Sequence, residues 1–193
     1  MITIVDLGVG NIGSVLKALK SIGAEITLTN NPDDIYKSTK IILPGVSTFE
    51  AGMAGVKKYN LLNSLQDAAL KRKIPFLGIC MGMQILASLG EENGSFEGLG
   101  FIPGAVVSSL DPKHCPVIPH MGWNNIENIE GNPLLSNLDA KPDFYFVHSY
   151  HMTKTPPDAV VNQVNMGNSS PRLLHIKIFL AHNFIQRKVK VMA

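Results

Sequence analysis

A cysteine between two glycines is the residue of this sequence best suited to chemistry. Cys80 lies in the segment 78–82, Gly-Ile-Cys-Met-Gly, which joins an apolar run to a second apolar segment with helical spacing. A sharp strand-to-helix turn exposes its central residue and needs small residues two positions away on each side. A thiolate at the start of a helix is also stabilised by the positive end of the helix dipole. The pattern favours a cysteine nucleophile over a small buried hydrophobic residue, the usual role of a lone cysteine.

The same turn would place a backbone donor beside the thiol. The Met81 N–H is expected to point to where an oxyanion forms when Cys80 attacks a carbonyl carbon. The second cysteine, Cys115, has no comparable context. Two cysteines make no disulfide framework, and neither has metal-ligand spacing with a histidine. The sequence therefore predicts covalent catalysis, with no metal and no cofactor.

Strands and helices alternate along the first half of the chain, and they would position this turn. The predicted strands are Ile2 to Leu7, Glu25 to Thr29, Ile41 to Leu43 and Pro75 to Ile79. The predicted helices are Ser14 to Ser21, a short one opening at Asp33 to Ile35, Leu61 to Lys71 and Met81 to Leu89. After Gly100 the pattern predicts strands at Val106 to Leu110, Val117 to Ile118, Phe144 to Ser149 and Val160 to Val164. This order predicts an α/β fold with a mostly parallel central sheet and helices on both faces.

The composition fits one compact domain. The 193 residues are 45% hydrophobic and 17% charged, which is enough apolar material for a single core. A net charge of +2 with scattered Lys and Arg gives no strong field for nucleic acid. The sequence shows no basic leader and no apolar stretch of membrane-spanning length. We therefore expect a cytoplasmic protein that binds neither nucleic acid nor membranes.

The segment Gly-Ile-Cys-Met-Gly-Met-Gln around Cys80 resembles the signature of the class I glutamine amidotransferases. The resemblance implies a flavodoxin-like domain in which Cys80 attacks the side-chain amide of L-glutamine, forming a thioester and releasing ammonia. It also implies that Gln84 contacts the bound glutamine.

A second segment, Leu43-Pro44-Gly45-Val46, resembles the oxyanion loop of the same family. The resemblance implies that Gly45 and Val46 act with Met81 in binding the substrate and its oxyanion. Ser47 departs from the family pattern, which commonly has glycine at this position.

Three later segments resemble the glutaminase subunits of imidazole glycerol phosphate synthases. They are 98–104, 119–124 and 145–150, and the resemblance extends over residues 1 to about 167. It implies a heterodimer with a (β/α)8-barrel synthase subunit, which receives the ammonia in histidine biosynthesis. An alternative is a paralogue that supplies ammonia for the amidation of a surface-polysaccharide sugar. Neighbouring genes would distinguish the two functions, since histidine genes favour the first and glycan genes the second. His120 and His148, within these segments, are interpreted as packed or interface histidines rather than general bases.

The first turn carries a competing motif. Residues 8–13 read Gly-Val-Gly-Asn-Ile-Gly, a literal dinucleotide-binding fingerprint between a strand and a helix. The fingerprint also needs an acidic residue about 20 positions later, at the end of the second strand. Glu25 lies at the start of that strand, whereas Asp33 and Asp34 open the next helix. We therefore reject a dinucleotide-binding enzyme, and the resemblance implies that this turn lies near the synthase partner.

The C-terminal segment departs from the family. Class I glutaminases carry Gln-Phe-His-Pro-Glu-Lys-Ser near the C-terminus, in which the His is the general base and the Glu orients it. Here residues 182–189 read His-Asn-Phe-Ile-Gln-Arg-Lys-Val. Suitable codons for these residues, read from the third base of the first codon, encode Gln-Phe-His-Pro-Glu-Lys-Ser. The alternative frame, carried back to Asn168, also encodes a strand-turn-strand pattern.

The sequence therefore predicts a one-base insertion or deletion, or a misread base, near residue 167. Residues 1–167 would form the amidotransferase domain, and residues 168–193 would be an out-of-frame tail. A chain without the His–Glu pair is expected to have little or no glutaminase turnover, and His182 lacks the pattern of an oriented base. A catalytically dead or purely partner-binding subunit is thus a further interpretation.

Overall fold

The computed structural model describes residues 1–113, 115–127, 135, 138, 142–157, 162–165 and 173–176. The strands are β1 Ile2–Val5, β2 Ile26–Thr29, β3 Ile41–Gly45, β4 Phe76–Cys80, β5 Ala87–Gly90, β6 Phe96–Glu97, β7 Ile102–Ser109, β8 His120–Glu127, β9 Asp143–His148, β10 Tyr150–Thr153, β11 Asn162–Asn165 and β12 Leu173–Ile176. The helices are α1 Ile12–Ser21, α2 Pro32–Lys37, α3 Phe49–Lys58, α4 Leu62–Gln66, which continues into a π-helical turn Asp67–Lys71, and α5 Met81–Gln84. Within these ranges no helix is both long enough and apolar enough to cross a bilayer.

A parallel four-stranded sheet in the order β2-β1-β3-β4 forms the first half of the molecule. Successive residues of a strand point to opposite faces, so each strand contributes to two apolar clusters. Ile4 and Ile42 pack with Leu19 of α1 on one face. Val5 and Leu43 belong to the larger cluster on the other face. The predicted α/β fold with helices on both faces of a parallel sheet is confirmed.

Two helix starts follow from local capping. Asn31 accepts a hydrogen bond from the Asp33 N–H at the start of α2, which has proline at its first position. Thr48 accepts one from the Ala51 N–H at the start of α3. The sequence did not predict α3, because two of its four buried positions are glycines and weaken the apolar period.

The predicted helix from Met81 to Leu89 is wrong beyond Gln84. α5 ends there, and residues 87–90 form β5, which pairs with β7 in parallel and with β6 in antiparallel orientation. A short apolar run fits a buried strand as well as a helix, so its period alone could not decide. Long-range pairing decides, because the backbone of β5 has strand partners on both sides.

The remaining half is mainly antiparallel, with β7 paired to β10, and β8 paired to β9 and β11. The predicted strand at Val117 to Ile118 is wrong, since β8 begins at His120. Pro119 precedes it and has no N–H to donate to a ladder. The predicted strands β7 and β9 are confirmed, with ends that differ from the prediction by one to four residues. The predicted strand at Val160 to Val164 is confirmed as β11 over residues 162–164, and its first two residues lie outside the described residues.

Candidate active site

Cys80 ends β4 in an unusual backbone conformation, with φ 53° and ψ −121°. Positive φ is costly for a residue with a side chain and persists where surrounding structure enforces it. The Cys80 side chain is exposed. The chain therefore turns sharply from β4 into α5, with the thiol at the top of the turn.

The two flanking glycines make this turn possible. A Cβ at Gly78 would lie 2.5 Å from Met83 Cα, and a Cβ at Gly82 would lie 1.9 Å from the Leu43 carbonyl oxygen. Both clashes are with backbone atoms, which cannot rotate away as a flexible side chain would. The spacing that predicted a strand-to-helix turn thus has a steric cause at each glycine.

The Pro44–Val46 segment lies beside the thiol. β3 and β4 pair in parallel with Gly45 opposite Cys80, so the carboxyl ends of both strands meet at one edge of the sheet. The Gly45 backbone also approaches α5, since a Cβ built there would be 3.2 Å from the Gly82 nitrogen. Val46 follows directly and is 60% exposed. The structure therefore brings Gly45 and Val46 together with Cys80 and Met81.

Met81 is anchored by its side chain while its backbone forms the turn. The side chain is buried and fills the space left by two glycines. A Cβ at Gly45 would lie 2.2 Å from Met81 Cε, and a Cβ at Gly52 would lie 2.2 Å from Met81 Sδ. Met81 thus connects the turn, the 44–46 segment and α3 through one packed side chain.

Gln84 is the last residue of α5 and is half-buried. It lies four positions after Cys80, and residues with that spacing share a helix face. The helix has a single turn of four residues. Its dipole is therefore smaller than that of the longer helix expected from the sequence.

The glycine-rich first turn lies at the same edge of the sheet. A Cβ at Gly10 would meet Gly45 Cα and the Val46 nitrogen, each at 3.5 Å. The Gly8 N–H donates to the Asp6 carboxylate at 2.8 Å. The Asp6 carboxylate thus occupies an amide N–H of this turn, and its negative charge would repel a bound pyrophosphate. This contact agrees with the rejection of a dinucleotide-binding site.

His120 and His148 form a hydrogen-bonded pair. His120 Nδ1 lies 3.0 Å from His148 Nε2, and His120 Nε2 lies 2.8 Å from Asn124 Oδ1. His148 Nδ1 lies 3.1 Å from the Tyr150 carbonyl oxygen, which can only accept, so this nitrogen carries the proton. The pKa of His148 is lowered to about 4, mainly by burial and to a smaller extent by the nearby His120 and His151, while the hydrogen bond to the Tyr150 carbonyl acts in the opposite direction. These are the contacts of packed histidines.

His182 and the rest of the segment 177–193 lie outside the described residues. In the described part of the chain, no three His, Cys, Asp or Glu side chains are grouped to hold a metal ion.

No sequence pattern singled out Glu92, whose carboxylate accepts a hydrogen bond from the Phe49 N–H at 2.7 Å. The two residues are 43 positions apart, so no local pattern connects them.

Comparisons with known proteins agree on one family. Residues 3–177 match the family model "Glutamine amidotransferase class-I". The chain is 40% identical over 179 residues to the imidazole glycerol phosphate synthase subunit HisH of Salinibacter ruber, which covers 90% of this chain and 81% of that protein. It is 37% identical over 190 residues to subunit HisH 1 of Methanococcus maripaludis, which covers 97% of this chain and 92% of that protein.

Solved structures share the fold at lower sequence identity. One described as a glutamine amidotransferase has a TM-score of 0.67 and 15% identity, covering 84% of this chain and 79% of that chain. PurLQS from Thermotoga maritima has a TM-score of 0.65 and 17% identity, and the match covers 91% of this chain and 81% of that chain.

Proposed function

Because this chain belongs to the class I glutamine amidotransferase family, we propose that its Cys80 site is the nucleophile site of the glutaminase subunit of an imidazole glycerol phosphate synthase, which hydrolyses glutamine to glutamate and ammonia in histidine biosynthesis. The observation that carries the proposal is the exposed Cys80 thiol in a strained turn, directly opposite Gly45. Relatives at 37% and 40% identity over most of their length support the choice of enzyme.

In this proposal the Cys80 thiolate attacks the side-chain amide carbon of glutamine, forming the S–C bond of a tetrahedral intermediate. The backbone N–H groups of Val46 and Met81 stabilise the oxyanion, and Gln84 contacts the substrate. The C–N bond then breaks, and ammonia leaves after its nitrogen gains a proton. Water hydrolyses the thioester to glutamate and restores the thiol. The base that moves these protons in the family would lie in the C-terminal segment.

Covalent labelling tests the nucleophile without requiring turnover. A chloroketone analogue of glutamine alkylates a thiol that lies in a glutamine site. We expect a single mass increase on Cys80 that glutamine suppresses. Cys115 is the internal control, since it is buried and its Sγ donates to the Val117 carbonyl. Labelling of Cys115 instead, or labelling that glutamine does not slow, would contradict the proposal.

The β8–β9 hairpin supports a second part of the proposal, a heterodimer with a (β/α)8-barrel synthase subunit. Met121 is paired with Val147 and Trp123 with Tyr145 across the two strands. All four side chains are exposed, and the Trp123 and Tyr145 rings pack edge to face with their centroids 5.6 Å apart. Exposed aromatic and aliphatic groups in one patch are typical of a protein interface. The matched relatives are themselves named as subunits of a synthase.

Binding to the purified barrel synthase tests this patch. We expect Trp123→Ala to weaken the complex at least about tenfold, since a central aromatic residue often dominates an interface. Leu28→Ala is the matched control, because Leu28 is also an exposed apolar strand residue but lies on β2. Equal affinities for Trp123→Ala and the unmodified chain would remove the hairpin from the interface.

A further inference from the structure

A carboxylate from a distant part of the chain holds the far end of the segment that follows Gly45. Glu92 lies just after β5, and its Oε2 accepts from the Phe49 N–H at 2.7 Å. Phe49 is the first residue of α3. Three residues, Val46 to Thr48, lie between Phe49 and Gly45, the last residue of β3. We call these three residues the oxyanion segment; it shares only Val46 with the loop of residues 43–46. A hydrogen bond to an ionised acceptor is stronger than one to a neutral acceptor.

The Phe49 ring is fixed by the same region that supplies Glu92. The ring is fully buried, and a Cβ at Gly90 would lie 2.4 Å from its Cγ. A Cβ at Gly98 would lie 3.0 Å from its Cζ. The ring therefore lies against the backbone of the β5–β6 hairpin, while Glu92 holds the Phe49 backbone.

The oxyanion segment is thus short and fixed at both ends. At its start, Gly45 is opposite Cys80 in the parallel sheet. At its end, Phe49 is held by Glu92. The N-cap of α3 has a separate partner, since Thr48 Oγ1 accepts from the Ala51 N–H. The Glu92 hydrogen bond therefore acts on a different donor of the helix N-terminus.

We propose that Glu92 is a positioning residue, whose carboxylate fixes the start of α3 and so keeps the Val46 N–H oriented toward the oxyanion formed on Cys80. This inference rests on the proposed glutaminase function. Glu92 acts through Phe49, and its effect is confined to steps that develop an oxyanion.

Two reactions of Cys80 separate this role from a general loss of structure. In acylation by the γ-phenyl ester of glutamate, the S–C bond forms, a tetrahedral oxyanion develops, and the C–O bond breaks to release phenolate. This leaving group does not need a protein acid, so the reaction suits the chain as it stands. In alkylation by iodoacetamide, sulfur displaces iodide and no oxyanion forms. The Cys80→Ala variant measures spontaneous ester loss in the first assay.

We expect Glu92→Ala to slow acylation about tenfold, the usual effect of losing one well-placed hydrogen bond to a charged group. Glu92→Gln retains a carbonyl oxygen that accepts from Phe49, and we expect it to stay within about threefold of the unmodified chain. Iodoacetamide rates should be unchanged in both variants. Glu91→Ala is the matched control, since Glu91 is the exposed neighbour of Glu92.

An unchanged acylation rate in Glu92→Ala would overturn the proposal. Equal losses in Glu92→Ala and Glu92→Gln would overturn it too, because the negative charge and not the hydrogen bond would then matter. A parallel fall in the iodoacetamide rate would indicate general loss of structure and would also overturn it. If Glu92→Ala does not fold, Glu92→Asp replaces it in the test. Its shorter side chain keeps the negative charge but no longer reaches the Phe49 N–H. Slowed acylation in this variant supports the proposal, and an unchanged rate overturns it. Failure of the unmodified chain to acylate at Cys80 would instead refute the glutaminase function itself.

Discussion

At the scale of single residues, Gly82 has no room for a methyl group. Its Cβ would lie 1.9 Å from the Leu43 carbonyl oxygen, so Gly82→Ala must displace either α5 or β3. We expect the free energy of unfolding to fall by about 3 kcal/mol or more, as for other overpacked sites next to backbone. Labelling of Cys80 by the chloroketone should be lost as well. Urea denaturation and mass spectrometry measure the two effects.

Gly13→Ala is the matched control for Gly82. The nearest atom to a Cβ there is Asn11 Oδ1 at 3.5 Å, an ordinary contact, and the residue lies in α1. Alanine should therefore stabilise the chain by up to about 1 kcal/mol through its higher helix propensity. Destabilisation by Gly13→Ala as large as that by Gly82→Ala would contradict the steric explanation.

His148 makes stability depend on pH. Its folded-state pKa of about 4 is below the ordinary value of 6.5, so the unfolded chain binds the proton more tightly. Stability from the neutral ring is complete above about pH 6.5 and is lost as the pH falls toward 4. Between pH 7.5 and 5 we expect a loss of about 2 kcal/mol from this residue. The groups that face it are His120, His151 and the Tyr150 carbonyl.

His148→Gln measures that contribution. Its free energy of unfolding should fall less between pH 7.5 and 5 than that of the unmodified chain, and the difference between the two slopes isolates His148. Parallel pH profiles for the two proteins would exclude His148 as the cause.

The turn at Cys80 was predictable from the sequence, because its two glycines lie two positions before and two positions after the cysteine. Gly78 leaves room for the backbone of residues 82–83, and Gly82 leaves room for the Leu43 carbonyl oxygen in β3. Glu92 was not predictable, since its role depends on contact with Phe49 across 43 residues. Local spacing identifies a reactive residue, whereas tertiary contacts identify the residues that hold its surroundings in place.

At the scale of elements, Arg72 connects the π-helical turn to α2. Its two terminal nitrogens donate to the carbonyl oxygens of Ser38 and Ile35, at 2.8 and 2.9 Å, and its Nε donates to Asp67 at 2.6 Å. We expect Arg72→Ala to lower the free energy of unfolding by about 2 kcal/mol, because carbonyls at the end of α2 lose charged donors.

Asp67→Asn is the corresponding control. The ion pair is partly exposed, with 30% and 22% of the two side chains accessible, so its removal should cost about 0.5 kcal/mol or less. Urea denaturation of both variants decides between the two contacts. A loss in Asp67→Asn as large as that in Arg72→Ala would show that the ion pair, and not the contacts with the carbonyls of α2, accounts for the stabilising effect of Arg72.

Elements were predictable where period and pairing agree, as in β1 to β4 with the helices α1, α2 and α4. They were not predictable where one apolar run fits two structures. Residues 87–90 became β5 because β6 and β7 flank them, and β8 starts after Pro119 rather than at Val117. The helix α3 was missed because Gly52 and Gly55 occupy its buried face.

At the scale of the whole molecule, the prediction concerns residues 168–193. Replacing them by the alternative-frame sequence restores the His and Glu that the family uses as base and orienting residue. We expect glutamate release, measured with the synthase and glutamine, to rise from background by at least about a hundredfold, the usual contribution of a general base. Cys80→Ala in the repaired chain should return it to background.

Two results would count against the reading-frame hypothesis. DNA across codons 160–193 could show no alternative-frame His-Pro-Glu, or the chain as written could turn over as fast as the repaired one. A decayed, partner-binding subunit would then be distinguished by synthase binding without glutamate release.

The position of β4 within its sheet has a consequence for such a repair. Among the strands in the described ranges, β4 ends the order β2-β1-β3-β4, although it carries the thiol. Parallel strands present their carboxyl ends at one edge, so a further parallel strand beside β4 would finish next to Cys80. The alternative frame encodes a pattern of two strands joined by a turn before its His-Pro-Glu. Docking one of them along β4 would deliver an imidazole to the sulfur while leaving the existing four strands where they are.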